Sequence, residues 1–286
     1  MPLTCRALLT AAAARLAGAG VESPRVDAEL LLAHALGVPR TRLVTLEDVD
    51  DVAAARFEAL LVQRADRVPL QHLTGRAPFR YLELAVGPGV FVPRPETEQL
   101  VGWALRQVAG SVDPVVVDLG SGSGAIALSI AHEHPGARVT AVERDPGAVE
   151  WTRHNARTRA AAGDTAVDVL AGDMTDGGLL RDLDGTVDLV VSNPPYVPDG
   201  ARVPREVADH DPPLALWGGP DGLDVVRGLL VTAARLLRPG GVLGIEHADQ
   251  QGESLPAVVR AHGGFADVDD HPDLAGRSRY TTARRE

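Results

Sequence analysis

The run Val115-Val116-Val117-Asp118-Leu119, followed by Gly120-Ser121-Gly122-Ser123-Gly124 and a helical stretch from Ala125 to Ala131, decides the fold of this chain. A short apolar run bounded by a turn signal reads as a buried strand. The alternating glycines let the backbone turn tightly and approach a ligand closely. Downstream the same alternation continues. Arg138 to Glu143 reads as strand, Pro146 to Ala161 as helix, Ala166 to Leu170 and Val187 to Val191 as strands, and Leu223 to Leu237 as helix. A turn at Arg238-Pro239-Gly240-Gly241 then precedes a strand from Val242 to Glu246, and residues 197–222 form a long polar loop rich in Pro and Gly. Strands separated by helices imply a parallel sheet with right-handed crossovers.

Upstream of Pro114 the pattern differs. Residues 1–76 read as a helical bundle. Ser23-Pro24 caps one helix, Ala28, Leu31, Leu32, Ala35 and Leu36 repeat at helical spacing, and Gly37 stops it. Asp50 or Asp51 caps another, with Phe57, Leu60, Leu61 and Arg64 along it. From Phe79 to Val92 the period changes to two, predicting a β-hairpin turned at Gly87-Pro88-Gly89, so 77–94 reads as a linker. Pro93-Arg94-Pro95-Glu96-Thr97-Glu98 opens a helix through Val108 and begins the segment 95–286. Glu96 and Glu98 suit a helix start for dipole reasons alone.

Composition narrows the function. Hydrophobic residues make up 45% of the 286-residue chain and aromatics only 3%, so Leu, Val and Ala must fill the core. The net charge of −11 disfavours a broad nucleic-acid surface, because phosphate neutralisation needs a cationic excess. All cationic side chains apart from histidine are Arg. The single Cys5 cannot form an internal disulfide, which fits a reducing cytoplasm. The N-terminal apolar run is interrupted by Arg15 and reads as an amphipathic helix, and no segment approaches the ~20 apolar residues of a membrane span. His210, His247 and His271 lack metal-ligand spacing.

The chemistry gathers at strand ends, where open α/β sheets present ligands. The Gly-x-Gly-x-Gly spacing is not the dinucleotide pattern, and Asp118 sets a negative charge at the loop that would repel a pyrophosphate and welcome a cation. S-adenosylmethionine carries a sulfonium and an amine. Glu143 ends the next strand about 20 residues past the glycines, where an acid can accept from both ribose hydroxyls. Asp173 and Met174 end the third strand, level with an adenine. Asp173 could accept from its amino group and Met174 could pack on its ring, although a turn acid with a core methionine fits nearly as well. Ser192-Asn193-Pro194-Pro195-Tyr196 ends the strand after that. Asn193 offers a carbonyl acceptor and an amide donor. The prolines remove two backbone donors and leave their carbonyls as acceptors. Tyr196 offers a flat face. Together these residues describe a slot for a planar NH2 group.

In these segments the sequence resembles class I S-adenosylmethionine-dependent methyltransferases, and among them the release factor glutamine N5-methyltransferases of the HemK/PrmC family. The likeness rests on Pro69 to Gly75, Pro93 to Glu98, Asp118 to Gly124, Ser192 to Tyr196 and Gly241 to His247, in family order. Asn-Pro-Pro-Tyr alone is shared with adenine-N6 methyltransferases. The resemblance implies a doubly wound, mostly parallel seven-stranded Rossmann-like sheet behind a small N-terminal helical bundle that grips the protein substrate. It implies that Asp118, Gly120, Ser121, Gly122, Ser123, Gly124, Glu143, Asp173, Met174 and Asn193 face S-adenosylmethionine. It further implies that Asn193, Pro194, Pro195 and Tyr196 hold the glutamine of the Gly-Gly-Gln motif in class I release factors, with Asn193, Pro194 and Tyr196 the catalytic set. Family members commonly carry an aromatic where this chain has Met174, and often Thr where it has Ser121 and Ser123. The expected reaction is an in-line transfer without metal, leaving S-adenosylhomocysteine, with Glu246 a candidate acceptor for the departing proton. The expected protein is a cytoplasmic monomer without membrane or direct nucleic-acid contact. The alternatives are an adenine-N6 nucleic-acid methyltransferase and a non-catalytic cofactor-binding adaptor.

Overall fold

The computed structural model describes residues 3–286, so the first two residues of the expected 1–76 segment lie outside it. The chain divides into two compact units. One takes in the residues up to Arg76 together with Val203–His210, and the other takes in Ala77–Arg202 and Asp211–Glu286.

Elements are numbered in chain order. The first unit contains β1 (Leu3–Thr4), α1 (Cys5–Gly18), α2 (Pro24–Leu36), β2 (Asp48–Val49), α3 (Asp51–Ala65), α4 (Leu70–Thr74) and, from the distant segment, α8 (Arg205–His210). The antiparallel β1–β2 pair is an addition to the all-helical expectation. Asp50 caps α3 by accepting from the Ala53 N–H at 2.8 Å, a contact typically worth ~1 kcal/mol. Pro24 does open α2, but the Ser23 side chain makes no capping bond, because its backbone (φ −119°, ψ 59°) departs from the extended cap geometry. Leu9, Leu16, Leu31, Leu32, Phe57 and Leu61 close the core of this unit. Arg64 shares their face and is buried with them. Its Nε donates to Asp27 at 2.7 Å, and its Nη1 donates to the Val68 carbonyl at 2.9 Å and to Glu206 at 2.8 Å. A buried guanidinium therefore ties α2, α3 and α8 together, since a buried charge is tolerated only when paired.

The second unit begins at Ala77, within the hairpin of β3 (Arg76–Phe79) and β4 (Leu82–Ala85). Its turn is Arg80-Tyr81, not the expected Gly87-Pro88-Gly89. Arg80 takes a left-handed φ of 50°. It is held there because its N–H donates to Glu98 at 3.0 Å while its guanidinium pairs with Glu133. Gly87 instead lies against the Trp151 indole, where a Cβ would stand 2.7 Å from Cζ2. Then follow α5 (Thr97–Val108), β5 (Val115–Leu119), α6 (Ala125–Glu133), β6 (Arg138–Glu143), α7 (Pro146–Ala161), β7 (Val167–Ala171) and β8 (Val187–Ser192). The chain closes with α9 (Asp224–Leu236), β9 (Leu237–Glu246), α10 (Ser254–His262), β10 (Phe265–Pro272) and β11 (Ser278–Arg285).

The sheet has seven strands in the order β10-β11-β9-β8-β5-β6-β7, and β11 runs antiparallel to both its neighbours. Arg238 to Gly241, expected as a turn before the strand, lies inside β9. A register shift between Val187 and Leu189 absorbs these residues as a bulge, and Arg238 donates to Asp188 across it at 2.7 Å. Successive strand residues face opposite layers. Val116, Val139 and Leu189 pack with Leu100, Ile126, Ile130 and Ala156 of α5, α6 and α7. Val117, Val142, Val190 and Leu243 pack with Val226, Leu229 and Leu230 of α9 and with Leu255 and Val259 of α10. This is a doubly wound sheet covered on both faces. Among the described residues no helix is long and apolar enough to cross a membrane.

Candidate active site

Strands β5 and β8 are parallel neighbours with Asp118 opposite Val191, and the chain leaves their adjacent ends to connect in opposite directions across the sheet. That is the switch point, where an open α/β sheet forms its ligand crevice. The glycine turn leaves β5 there and Asn-Pro-Pro-Tyr leaves β8. The Ser192 hydroxyl donates to the Leu119 carbonyl and locks the two ends together.

The glycine turn is anchored from below. Gly120 and Ser121 N–H groups both donate to the Val142 carbonyl of β6, at 2.8 and 2.9 Å. The Gly122 N–H donates to Glu143 Oε2 at 2.9 Å, while Glu143 Oε1 accepts from the Arg144 and Asp145 N–H groups at 2.8 and 2.9 Å. The turn and the acid at the second strand end are thus one hydrogen-bonded assembly. Gly120 has φ +84°, and a Cβ there would stand 2.7 Å from Met174 Cε and 3.8 Å from the Asn193 carbonyl. Gly122 has φ +57° and faces open space. The structure therefore brings Gly120, Met174 and Asn193 together across the crevice. Ser121 and Ser123 are buried, and the Ser121 hydroxyl is 3.2 Å from that of Thr152, turned inward rather than toward the opening.

Two acids differ from their sequence reading. Asp118 does not present a full charge to the loop. It is completely buried, its Oδ2 accepts from the Ala127 N–H of α6 at 3.1 Å, and its Oδ1 has no partner. Burial pushes its carboxyl up to about 7, against the pull of the Ala127 N–H and with a further push from Glu143. Asp173 lies beyond β7, and its oxygens are engaged. Oδ1 accepts from the Thr175 N–H and hydroxyl, each at 2.8 Å, and Oδ2 accepts from Arg144 at 3.2 Å. Burial works against its ionisation, but these bonds outweigh it and hold the carboxyl below the usual range.

On the other side of the crevice, Asn193 Nδ2 donates to Glu246 Oε1 at 3.0 Å and lies 3.3 Å from the Thr97 hydroxyl oxygen. Glu246 stands behind Asn193, fully buried, which removes it from the post of proton acceptor facing the slot. Among the described residues no hydrogen-bond donor reaches the Pro194 or Pro195 carbonyl. The Pro195 carbonyl lies against Gly218, where a Cβ would be 2.6 Å from it. The Tyr196 carbonyl accepts from Gln251 Nε2 at 3.0 Å. The Tyr196 ring is half-buried, and burial with the nearby Glu246 holds its phenol above the usual range. Thr97, Gln251, Gly218 and Gly222 are the supporting residues that the sequence reading did not single out. The glycine-rich run from Gly218 to Gly222 was a signal available in the long loop, where it read as punctuation. Among the described residues no group of three or more His, Cys, Asp and Glu gathers as a metal site.

Residues 7–75 match the PrmC N-terminal domain family and residues 103–209 match the methyltransferase small domain family. The chain is 53% identical over 280 residues to a release factor glutamine methyltransferase of Mycolicibacterium smegmatis, covering 98% of this chain and 97% of that one. It is 54% identical over 275 residues to the protein of the same name in Streptomyces coelicolor, covering 95% and 94%. Among solved structures, the catalytic domain of hMettl16 in complex with the MAT2A 3'UTR hairpin 6 shares the fold, with a TM-score of 0.55 at 15% identity over 83% of this chain and 82% of that one. The T. thermophilus 16S rRNA N2 G1207 methyltransferase (RsmC) does so with a TM-score of 0.51 at 23% identity over 74% and 50%. With the crevice, the glycine turn and the Asn-Pro-Pro-Tyr end in the family's order along nearly the whole chain, the chain belongs to the release factor glutamine methyltransferase family.

Proposed function

We propose that this chain transfers a methyl group from S-adenosylmethionine to the side-chain amide nitrogen (N5) of the glutamine in the Gly-Gly-Gln motif of class I peptide chain release factors. The observation that carries this reading is the near full-length identity of 53% to a release factor glutamine methyltransferase. The residues of the crevice fit the cofactor. Gly120 leaves free the space a side chain would fill beside Met174 and Asn193, Gly122 opens outward, and Asp118 keeps a buried oxygen without a partner. In this reading Gly120 to Gly124, with Ser121 and Ser123 as the turn's buried supports, hold the amino-acid end. Glu143 would accept from the ribose, and Met174 would pack on the adenine. Glu143 and Asp173 each already accept three hydrogen bonds from the chain itself.

When bound, S-adenosylmethionine supplies a methyl group activated by its sulfonium. The protein's own part is orientation. An amide nitrogen is a poor nucleophile because its lone pair is delocalised, as the ~18–20 kcal/mol barrier to rotation reflects. Asn193 Oδ1 and the Pro194 carbonyl accept the two amide hydrogens, each bond contributing about 1 kcal/mol. Holding the nitrogen in line with the methyl is the larger effect, since orientation can supply roughly 7–11 kcal/mol. Pro195 and Tyr196 hold that geometry, since the Tyr196 carbonyl accepts from Gln251 and the bare Gly218 leaves room for the Pro195 carbonyl. The nitrogen would gain the methyl as the methyl–sulfur bond breaks and its electron pair returns to sulfur, leaving S-adenosylhomocysteine, and it would lose one N–H proton to solvent. Residues 1–76 grip the release factor, 77–94 link, and 95–286 carry the chemistry.

The test is transfer of labelled methyl to a purified class I release factor. A copy with its Gly-Gly-Gln glutamine changed to alanine and an adenine-containing duplex run beside it. Label on the intact factor alone supports the reading. Label on the duplex overturns it in favour of adenine-N6 methylation, and cofactor binding without label overturns it in favour of an adaptor.

A further inference from the structure

A side-chain amide can face a slot with either end, and the two ends select opposite partners: the oxygen accepts from an NH2 group, the nitrogen donates to a carboxylate. In this structure the choice is made from behind. Asn193 Nδ2 donates to Glu246 Oε1 at 3.0 Å and reaches the Thr97 hydroxyl oxygen at 3.3 Å, so both its hydrogens are directed inward. Among the described residues no donor reaches Asn193 Oδ1, and that oxygen is not among the buried polar atoms lacking partners. An ionised carboxylate can only accept. Glu246 therefore permits one orientation of the Asn193 amide, where an amide or hydroxyl in its place would permit both.

Glu246 is costly to keep. It ends β9 at 1% exposure, and its Oε2 is buried without a partner. Burial pushes its carboxyl up to about 7. The Thr97 hydroxyl, Arg279 of β11 and the Asn193 amide favour the charged form, while Glu96 at the start of α5 opposes it. Tyr196 also faces it, with its phenol held neutral. A buried, half-satisfied carboxylate is a poor device for stability, and in this place its effect falls on the orientation of one amide.

We infer that Glu246, with Thr97, is the positioning pair that turns Asn193 Oδ1 to the substrate and makes the slot select a glutamine amide over a glutamate carboxylate. The inference rests on the proposed glutamine methylation. A glutamate side chain in the slot meets two acceptors, Asn193 Oδ1 and the Pro194 carbonyl, and has no hydrogen to give. With Asn193 turned over, Nδ2 would donate to that carboxylate and the rejection would weaken.

The test uses the full chain with S-adenosylhomocysteine present. Affinities are measured for a class I release factor and for a copy in which the Gly-Gly-Gln glutamine is glutamate, alongside kcat and KM on the unaltered factor. The wild type should prefer the glutamine factor by on the order of 10⁴-fold, as a site built to bond a donor rejects an analogue lacking it. Glu246→Gln keeps the shape and can either accept or donate. It should lower that preference by about tenfold and lower kcat more than it raises KM, with the urea midpoint unchanged or higher. Wild-type preference should also fall as pH drops through 7, where the protonated Glu246 can donate to Oδ1, while Glu246→Gln should be flat. Thr97→Val, which removes the weaker contact, should show a smaller loss in the same direction and covers the case in which Glu246→Gln fails to fold. Undiminished preference with unchanged kcat in the variant that folds overturns the inference, as does a wild type that methylates glutamine yet binds both factors equally. A wild type that methylates neither factor overturns the reading of the reaction itself.

Discussion

Asp118→Asn should stabilise this protein at alkaline pH and much less at acid pH, and the difference can be worked from its surroundings. The carboxyl is completely buried and raised from its ordinary 3.8 to about 7. A carboxyl with a raised folded pKa contributes fully below its unfolded pKa, and that contribution is lost as pH rises through the folded pKa. Relative to an unshifted carboxyl, Asp118 therefore costs about 4 kcal/mol at pH 8.5 and about 1.5 kcal/mol at pH 5. Asparagine removes that cost and can still accept from the Ala127 N–H. It also sets an amide nitrogen where the unpartnered oxygen now lies, an unsatisfied donor costing roughly 1–3 kcal/mol. That penalty does not depend on pH, so the benefit of the variant should grow by about 2.5 kcal/mol between pH 5 and pH 8.5. Urea unfolding of both proteins at both pH values measures this directly. An equal shift in midpoint at both values would refute the account of Asp118 as a charge held against its burial. The same variant should bind S-adenosylmethionine more weakly at pH 8.5, because the cation loses its anionic neighbour.

Gly222→Ala should lower turnover more than tenfold while leaving cofactor affinity intact. Its Cβ would stand 2.2 Å from the Tyr196 carbonyl at a φ of +77°, and nothing in the glycine turn is touched. Paired kinetics and calorimetric titration check it, and an equal loss in both would count against the brace. Gly120→Ala should do the reverse, weakening cofactor binding at a modest stability cost of ~1–2 kcal/mol for the left-handed backbone, since the Met174 methyl can swing away; thermal unfolding with and without ligand separates the two effects. Arg64→Met leaves Asp27 buried without its cation and should lower the stability of the first unit by about 3–5 kcal/mol. Adding Asp27→Asn should recover part of it, and a fully additive double variant in urea unfolding would show that the pair does not act as one.

The doubly wound sheet was legible in the sequence because its strands are apolar runs between glycine-rich turns and helical repeats, and such patterns are local. Val115 to Gly124 and Val187 to Tyr196 each announce a strand and the turn beyond it within ten residues. The adjacency of those two turns followed from a topological rule rather than from any contact. Local pattern also had limits. Period-two alternation ran on past the true hairpin turn at Arg80-Tyr81, which is set by bonds from Arg80 to Glu98 and Glu133 in helices that the pattern cannot see. Arg238 to Gly241 reads as a turn anywhere, and becomes a bulge because the neighbouring strand shifts register beside it.

What only the tertiary structure decided is the state of the charged and polar groups. Asp118 and Glu246 read in sequence as acids available to a ligand or a proton. Folding withdraws both from water, and their carboxyls rise to about 7. Thr97, Asn193 and Glu246 are far apart in the chain and meet at 3.0 and 3.3 Å because the start of α5 lies beside the ends of β8 and β9. Sequence determines which groups a chain possesses and which elements carry them. Burial and partnership, which set the charge of a carboxyl and the face of an amide, depend on distances that exist only once the sheet has formed.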